Sequence, residues 1–221
     1  MKYLAIETST DRATVAISAF GELFCEELCH TRQHAQELLS MVSRVLRLAK
    51  VELNQLDGIV FGRGPGSFTG LRIACGVSIG LAYAHHLPLF PVSTLSAIAR
   101  AAHDLGERHV LALMDARMNQ VYWGHFTGDS FSVHEWVCNA SDLVLPTTKS
   151  ICLAGVGFEP YVAEMPAEIR VAIGKQCLIF PTARDMIHLV QEGHIQAVHV
   201  LDARPEYIRN QVTQVKGESG G

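Results

Sequence analysis

The chain has 221 residues, of which 48% are hydrophobic and 18% are charged, and its formal net charge is −4. This composition excludes a disordered protein and predicts a globular one, folded as one domain or as two small lobes. Lysine and arginine form no cluster along the sequence, whereas a protein that grips tRNA or DNA alone normally carries a basic stripe. The composition therefore argues against a principal nucleic-acid binder.

Nothing in the sequence predicts export or membrane insertion. No apolar run approaches the ~20 residues that a membrane-spanning helix requires. The first ten residues, MKYLAIETST, lack the long apolar stretch and the small-residue cleavage site of a signal peptide, so they are predicted to begin a strand. The six cysteines are scattered and form no CxxC pair, which favours reduced and mostly buried thiols. We therefore expect a cytoplasmic protein.

The first half of the chain, residues 1–105, is predicted to form three strands followed by alternating helices and strands. Short polar or glycine-containing gaps separate the first three apolar segments, as is typical of an antiparallel meander. Thr31 is a candidate N-cap for the first helix. The predicted elements are strands at 3–6, 13–19 and 22–28, a helix at 33–50, a strand at 59–61, a helix at 68–86, a strand at 89–92 and a helix at 94–105.

The second half, residues 106–215, repeats this order of elements although it does not repeat the residues. A βββαβαβα pattern therefore occurs twice and predicts two lobes of similar topology. The tail at 216–221 is predicted to be disordered. The predicted elements are strands at 110–114, 120–126 and 131–138, a short helix, a strand at 151–154, a second short helix, a strand near 177–180 and a helix at 183–192.

A glycine-rich turn connects the 59–61 strand to the 68–86 helix. Such a strand, turn and helix start often bind an anion. The segment does not match GxxxxGK[ST], because Leu71 and Arg72 follow Gly70, and its glycines do not fit GxGxxG either. The sequence favours a tight turn that brings the helix close to its neighbours. A nucleotide site within this chain, or one shared with a partner, remains an alternative.

Glu7 and Asp115 end the first strand of each half, where a paired carboxylate could serve as a general base or a metal ligand. The loop after each carboxylate has no glycine to approach a phosphate. The competing interpretation is that both side chains accept hydrogen bonds from backbone N–H groups in turns.

Other catalytic patterns are incomplete. His30 and His34 have the HxxxH spacing of some zinc sites but lack the glutamate of HExxH. Ser67 lacks the second glycine of a GxSxG elbow. The sequence therefore predicts neither a metal site nor a catalytic residue.

Two helices have surfaces that suggest a partner. The apolar residues of the 33–50 helix span about 180°, more than a helix packed on one side requires, so either a second element of this chain or another protein covers the excess. The 68–86 helix carries two rows of small residues at i, i+4 spacing, which permit close helix approach. The rows are Gly76-Gly80-Ala84 and Ala74-Ser78-Ala82.

Four segments of the sequence carry a family resemblance: LAIETST at 4–10, GPGSFTGLR at 64–72, DAR at 115–117 and YIR at 207–209. Together they resemble the TsaB (YeaZ) family of bacterial tRNA threonylcarbamoyladenosine biosynthesis proteins, and the resemblance extends over nearly the whole chain. His34, followed by Glu37-Leu38-Leu39, also fits the family's first helix. Glu7 is a departure, because the family usually has aspartate there.

The resemblance implies an actin/sugar kinase/Hsp70-like (ASKHA) fold with two ribonuclease-H-like lobes. It also implies a non-catalytic subunit that forms a heterodimer with the catalytic subunit TsaD through the N-terminal lobe. With the ATPase TsaE, that complex would transfer threonylcarbamoyl to N6 of adenosine 37 in tRNAs that read ANN codons. The chain alone would form a homodimer, and tRNA would be contacted only through the complex.

These expectations define two sets of site residues. The isolated chain is expected to hold no cofactor, since ATP or ADP would bind only at the interface of the complex. The alternative is an enzyme acting alone, either an ASKHA-type nucleotide hydrolase or kinase or a metallopeptidase-like protein. The candidate nucleotide contacts are Glu7, Thr8, Ser9, Gly66, Ser67 and Asp115. The predicted partner interface consists of His34, Leu38, Leu39, Val42, Leu46, Thr69, Arg72, Gly76, Val77, Gly80 and Leu81.

Overall fold

The computed structural model describes residues 1–29, 34–145 and 150–209. Within them are two five-stranded sheets, one built from each half of the chain. The strands of the first sheet are β1 (Tyr3–Glu7), β2 (Ala13–Ala19), β3 (Glu22–Leu28), β4 (Gly58–Gly64) and β5 (Leu89–Ser93). Those of the second are β6 (His109–Arg117), β7 (Gln120–Thr127), β8 (Trp136–Asn139), β9 (Ile151–Val156) and β10 (Ile173–Leu178).

The two sheets have the same topology. Their strand orders are β3-β2-β1-β4-β5 and β8-β7-β6-β9-β10. In each sheet the first three strands form an antiparallel meander, and the last two strands run parallel to the first strand of the meander. The prediction of an α/β fold with two ribonuclease-H-like lobes is therefore confirmed, and the repeat is one of topology.

Five α-helices of the described residues pack against the sheets. They are α1 (His34–Ala49), α2 (Phe68–His85), α3 (Thr94–Asp104), α4 (Ala167–Ala172) and α5 (Ala183–Gln191). Helices α1 and α2 pack on the outer face of the first sheet, whereas α3 and α5 lie between the two sheets. Because helices cover both faces of the first sheet, every residue of β1 and β2 is buried.

The central layer joins the two halves. Helix α3, from the first half, packs on the second sheet, and α5, from the second half, packs on the first sheet. Their side chains share one hydrophobic cluster with inward-facing strand residues such as Ala5 and Ala112. The backbone N–H of Ala183 also donates a 2.8 Å hydrogen bond to Oγ1 of Thr14. The two sheets are thus distinct, but both halves contribute side chains to the hydrophobic core between them.

Two strand predictions in the second half need correction. The third strand was predicted at 131–138, but β8 begins only at Trp136. The preceding segment packs instead against the start of α3, where Ser96 Oγ donates to the carbonyl of Phe131 at 2.8 Å and Ser93 donates to Glu135. The strand predicted near 177–180 is β10, which begins earlier and ends at Leu178. Apolar content predicted these strands, and tertiary contacts moved their boundaries.

Some expectations fall outside the described residues. These are the N-cap role of Thr31, the location of His30 and the disorder of the 216–221 tail. In the part of the chain that is described, no helix combines the length and apolar character needed to cross a bilayer.

Candidate functional site

The turn between β4 and α2 is held against the segment that follows β1. Ser67 caps α2 by accepting a 3.3 Å hydrogen bond from the N–H of Gly70, and the Ser67 N–H donates to the carbonyl of Ser9 at 2.7 Å. Thr8 Oγ1 donates to the carbonyl of Gly70 at 2.7 Å. These hydrogen bonds hold the turn and the start of α2 against the end of β1, as expected for a turn that docks a helix.

The glycines of this turn are explained by close approach and backbone conformation. Gly66 has φ +153°, and a Cβ there would lie 2.5 Å from the carbonyl oxygen of Ser9. A Cβ on Gly70 would overlap the carbonyl oxygen of Thr8. Only a residue without a side chain fits at either position.

Glu7 is completely buried at the end of β1. Its Oε1 accepts a hydrogen bond from the N–H of Ser9, and its Oε2 lies against Gly62 without a hydrogen-bond partner among the described residues. Burial raises the pKa of Glu7 to about 7, even though the Ser9 N–H partly stabilises the carboxylate. Glu7 is thus sealed beneath the turn and does not line the cleft between the lobes.

Asp115 ends the equivalent strand of the second half and has a different environment. Its Oδ1 accepts 2.7 Å hydrogen bonds from the N–H of Arg117 and from the hydroxyl of Tyr161. The Arg117 guanidinium lies 3.3 Å from Oδ2. Residues 117–119 all have positive φ, so the carboxylate stabilises a strained turn. This arrangement fits the turn-capping interpretation.

A cleft of about 720 Å³ separates the two lobes. Of the candidate nucleotide contacts, the structure places Ser9, Gly66, Ser67 and Asp115 in its lining, whereas Glu7 and Thr8 lie outside it. The volume falls within the range of about 300–1,000 Å³ that small-molecule sites occupy. The charged residues in the lining are Asp11, Asp115, Arg117 and Arg209.

The segment at 207–209 contacts both halves beside the cleft. Tyr207 accepts a 3.1 Å hydrogen bond from Arg72 Nε and packs on Phe68 of α2. Ile208 is buried against the second half. Arg209 Nη2 donates to the carbonyl of Ala116 at 2.6 Å. The three residues of the YIR motif therefore bridge the two halves, and Arg209 also lines the cleft.

The outer face of α2 is open to solvent. Thr69, Arg72, Gly76 and Gly80 are exposed, and a Cβ on either glycine would meet nothing within 4 Å. The other small row, Ala74-Ser78-Ala82, is buried on the opposite face of the helix. One row thus packs within the chain, and the other is available to a partner.

The remaining predicted interface residues divide by burial. Val77, Leu81 and Leu46 are half-buried, and Leu39 on α1 is 55% exposed. Leu38 and Val42 must be removed from the proposed surface, because both are buried in the core beneath α1. The side chain of His34 lies outside what the structure describes.

Three exposed apolar side chains near this surface were not predicted from the sequence. Tyr83 is 70% exposed, and Phe68 and Leu48 are each more than half exposed. Tyr83 follows Gly80 by three residues and Gly76 by seven, so it lies on the same face of α2. Helical spacing could have identified it. We define the α2 face as Phe68, Thr69, Arg72, Gly76, Gly80 and Tyr83.

The paired sheets and the cleft between them define an α/β protein with an ASKHA-like fold. Residues 28–179 match a family model described as "TsaD: tRNA N6-adenosine threonylcarbamoyltransferase". The chain is 33% identical to the tRNA threonylcarbamoyladenosine biosynthesis protein TsaB of Haemophilus influenzae, with 96% of this chain and 95% of that protein covered. It is also 33% identical to TsaB of Escherichia coli K12, with 98% of each covered.

Solved structures agree with these relatives. YeaZ from Pseudomonas aeruginosa is 34% identical and superposes with a TM-score of 0.83, covering 93% of this chain and 99% of that one. A second structure, described as similar to peptidase YeaZ from Pseudomonas aeruginosa, has a TM-score of 0.85 at 34% identity and covers 94% of this chain and 99% of that one. The chain belongs to the TsaB (YeaZ) family.

Proposed function

We propose that this protein acts in the biosynthesis of threonylcarbamoyladenosine in tRNA, as a non-catalytic subunit that binds a TsaD-type catalytic subunit. Family membership supports the pathway, since the curated relatives at 33% identity carry that function in their names. In this proposal the complex also includes the ATPase TsaE, contacts tRNA as a whole and works in the cytoplasm. Alone, the chain pairs with a second copy through the same surface.

The observation that carries the subunit role is the α2 face. Two glycines stand in the middle of an exposed helix with open space above them. Glycine there lowers helix stability by about 1 kcal/mol relative to alanine. No neighbouring atom of the described chain lies close enough to either glycine to require a residue without a side chain. A helix of a partner could approach closely over this row.

The two carboxylates support the absence of catalysis by this chain. Glu7 is sealed beneath the β4–α2 turn, and Asp115 is occupied by Tyr161 and Arg117. In this proposal neither carboxylate acts on a substrate as a general base. We infer that ATP or ADP binds only where the cleft is completed by a partner. Calorimetry with ATP and magnesium tests this, because stoichiometric binding by the isolated chain, with turnover lost in Glu7→Ala or Asp115→Ala, would favour the lone enzyme instead.

The decisive experiment combines binding with tRNA analysis. Gly76→Leu and Gly80→Leu should each prevent co-purification with TsaD, because a leucine occupies the space that the partner helix needs. In cells depleted of the native protein, these variants should also fail to restore threonylcarbamoyladenosine, measured by mass spectrometry of tRNA nucleosides.

Glu168→Leu is the matched control, since it adds the same side chain to an exposed position of α4 in the other half. It should bind TsaD and restore the nucleoside. Undiminished binding by the α2 variants, with circular dichroism unchanged, would refute the interface. Unchanged threonylcarbamoyladenosine after depletion would refute the function itself.

A further inference from the structure

The central layer brings together three side chains that can bind a metal ion. Asp104 ends α3, and Asp185 and His188 lie in the first two turns of α5. One ligand atom from each lies within 4.8 Å of the other two. Asp185 and His188 are three residues apart, so they lie on the same face of their helix. The first half of the chain supplies one group and the second half supplies two.

Asp185 is a buried carboxylate without a lysine or arginine partner among the described residues. Its side chain is only 7% exposed, and the hydrogen bond that it accepts comes from Thr182 Oγ1 at 2.5 Å. A buried carboxylate is costly unless a cation or several donors compensate it.

His188 supplies an available nitrogen. Its Nδ1 is buried and has no hydrogen-bond partner among the described residues. A buried imidazole nitrogen normally has a partner, and a metal ion is one of the partners that it takes. One ring nitrogen of His188 lies within 4.8 Å of a carboxylate oxygen of each aspartate, so the imidazole can join the same site.

Asp104 provides access from solvent. Its side chain is 46% exposed, and it forms an ion pair with Arg100 of the same helix. Arg100 also contacts Glu192, with Nη2 to Oε1 at 2.8 Å. Arg100 therefore keeps a carboxylate partner when Asp104 turns toward α5, so recruiting Asp104 to a cation leaves no buried charge unpaired.

We propose that Asp104, Asp185 and His188 form a binding site for a divalent transition-metal cation, and that the bound cation ties α3 to α5 across the two halves. Two carboxylate oxygens and one imidazole nitrogen suit Mn²⁺ or Zn²⁺. With bonds of about 2.0–2.2 Å, the ligand atoms must approach one another by about 1 Å. The exposed Asp104 can move that far by a rotamer change. Water fills the remaining coordination positions.

Manganese is the better probe, because thiols bind it poorly and the chain has six free cysteines. Full-length protein freed of metal with EDTA should take up one equivalent of Mn²⁺, measured as loss of the free-ion signal in electron paramagnetic resonance. Binding to the folded state alone should also raise the melting temperature by roughly 5–10 °C at 100 times the dissociation constant.

Asp185→Asn and His188→Gln should each weaken Mn²⁺ binding at least tenfold. Asp104→Asn tests the same site from an exposed position, where the substitution does not threaten folding. Asp142→Asn, another exposed carboxylate, is the control and should bind normally. Absence of saturable uptake, or equal uptake by wild type and Asp104→Asn, would overturn the proposal.

Discussion

The two halves of the molecule share a strand order but connect their fourth and fifth strands differently. In the first half, the connection is the glycine turn and α2, a helix of 18 residues with an exposed outer face. In the second half, the connection is a 3-10 helix at Glu159–Glu164 and α4, which has only six residues. The same topology thus provides a long, open helix in one half alone, and a partner that needs such a helix can bind only there.

The carboxylates at the ends of β1 and β6 differ in a similar way. Strand register makes Glu7 and Asp115 equivalent, and each lies beside a glycine of the neighbouring strand end, Gly62 or Gly157. Glu7 is fully buried with one oxygen unpartnered, whereas Asp115 is partly exposed and bound by Arg117 and a tyrosine hydroxyl. Equivalent positions in a repeat therefore do not form a matched acid and base.

The largest expected effect is on stability, and it comes from adding a side chain to a glycine that lies very close to another part of the backbone. Each half of the chain provides one such glycine. A Cβ on Gly70 would overlap the carbonyl oxygen of Thr8, and one on Gly155, at φ +143°, would overlap that of Leu113. Neither backbone oxygen can move without disturbing a sheet. Gly70→Ala and Gly155→Ala should each lower the free energy of unfolding by about 4 kcal/mol, measured from urea denaturation.

Gly128→Ala is the control for these substitutions. Gly128 also has a positive φ, +62°, but a Cβ there meets nothing within 4 Å. Its cost should be about 1 kcal/mol, from the left-handed conformation alone. If all three variants had the same urea midpoint, close backbone approach would not be what these glycines provide.

The next largest effect is the pH dependence of stability that the buried carboxylate of Glu7 contributes. Burial raises the pKa of Glu7 to about 7 in the folded protein, so between pH 4.5 and pH 7 the folded state holds a proton that the unfolded state has released. Stability falls as pH rises through this window. The stability of Glu7→Gln relative to wild type should therefore improve by about 3 kcal/mol between pH 4 and pH 8, measured by urea denaturation at each pH.

Glu135→Gln provides a second case with the same sign. Burial raises the pKa of Glu135 to about 7 as well. Because Glu135 is present in both wild type and Glu7→Gln, its titration does not contribute to the difference in stability between these two proteins. A double variant should lose both contributions. Parallel pH profiles of wild type and Glu7→Gln would mean that the pKa of Glu7 is the same in the folded and the unfolded protein.

Patterns that are local in sequence predicted the most. Strand alternation and turn residues identified the meanders, and the order of elements revealed the repeat. The segment at 131–135 was misassigned because contacts with Ser93 and Ser96, distant in sequence, hold it outside the sheet. Burial of Leu38 and Val42 could not be predicted, since a wide apolar arc does not state which part faces the core.

The sequence could not predict which distant side chains the fold brings together. Asp185 and His188 have a recognisable helical spacing, but Asp104 joins them only because α3 and α5 pack together between the sheets. No metal site could therefore be predicted from the sequence. Likewise, Glu7 and Asp115 could be matched by position, but their different environments depend on side chains from other elements.

The smallest effect tests the long helix that distinguishes the first half. Gly76 and Gly80 are exposed within α2, and a Cβ at either has open space. Alanine favours the helix by about 1 kcal/mol at each position, so the double variant Gly76→Ala/Gly80→Ala should be about 1–2 kcal/mol more stable in urea. The added methyl groups would still keep a partner helix at a greater distance. We therefore expect the double variant to be more stable as an isolated chain and to bind TsaD more weakly. An increase in both the stability of the double variant and its affinity for TsaD would mean that the partner does not approach over these glycines. The α2 face would then have no binding role.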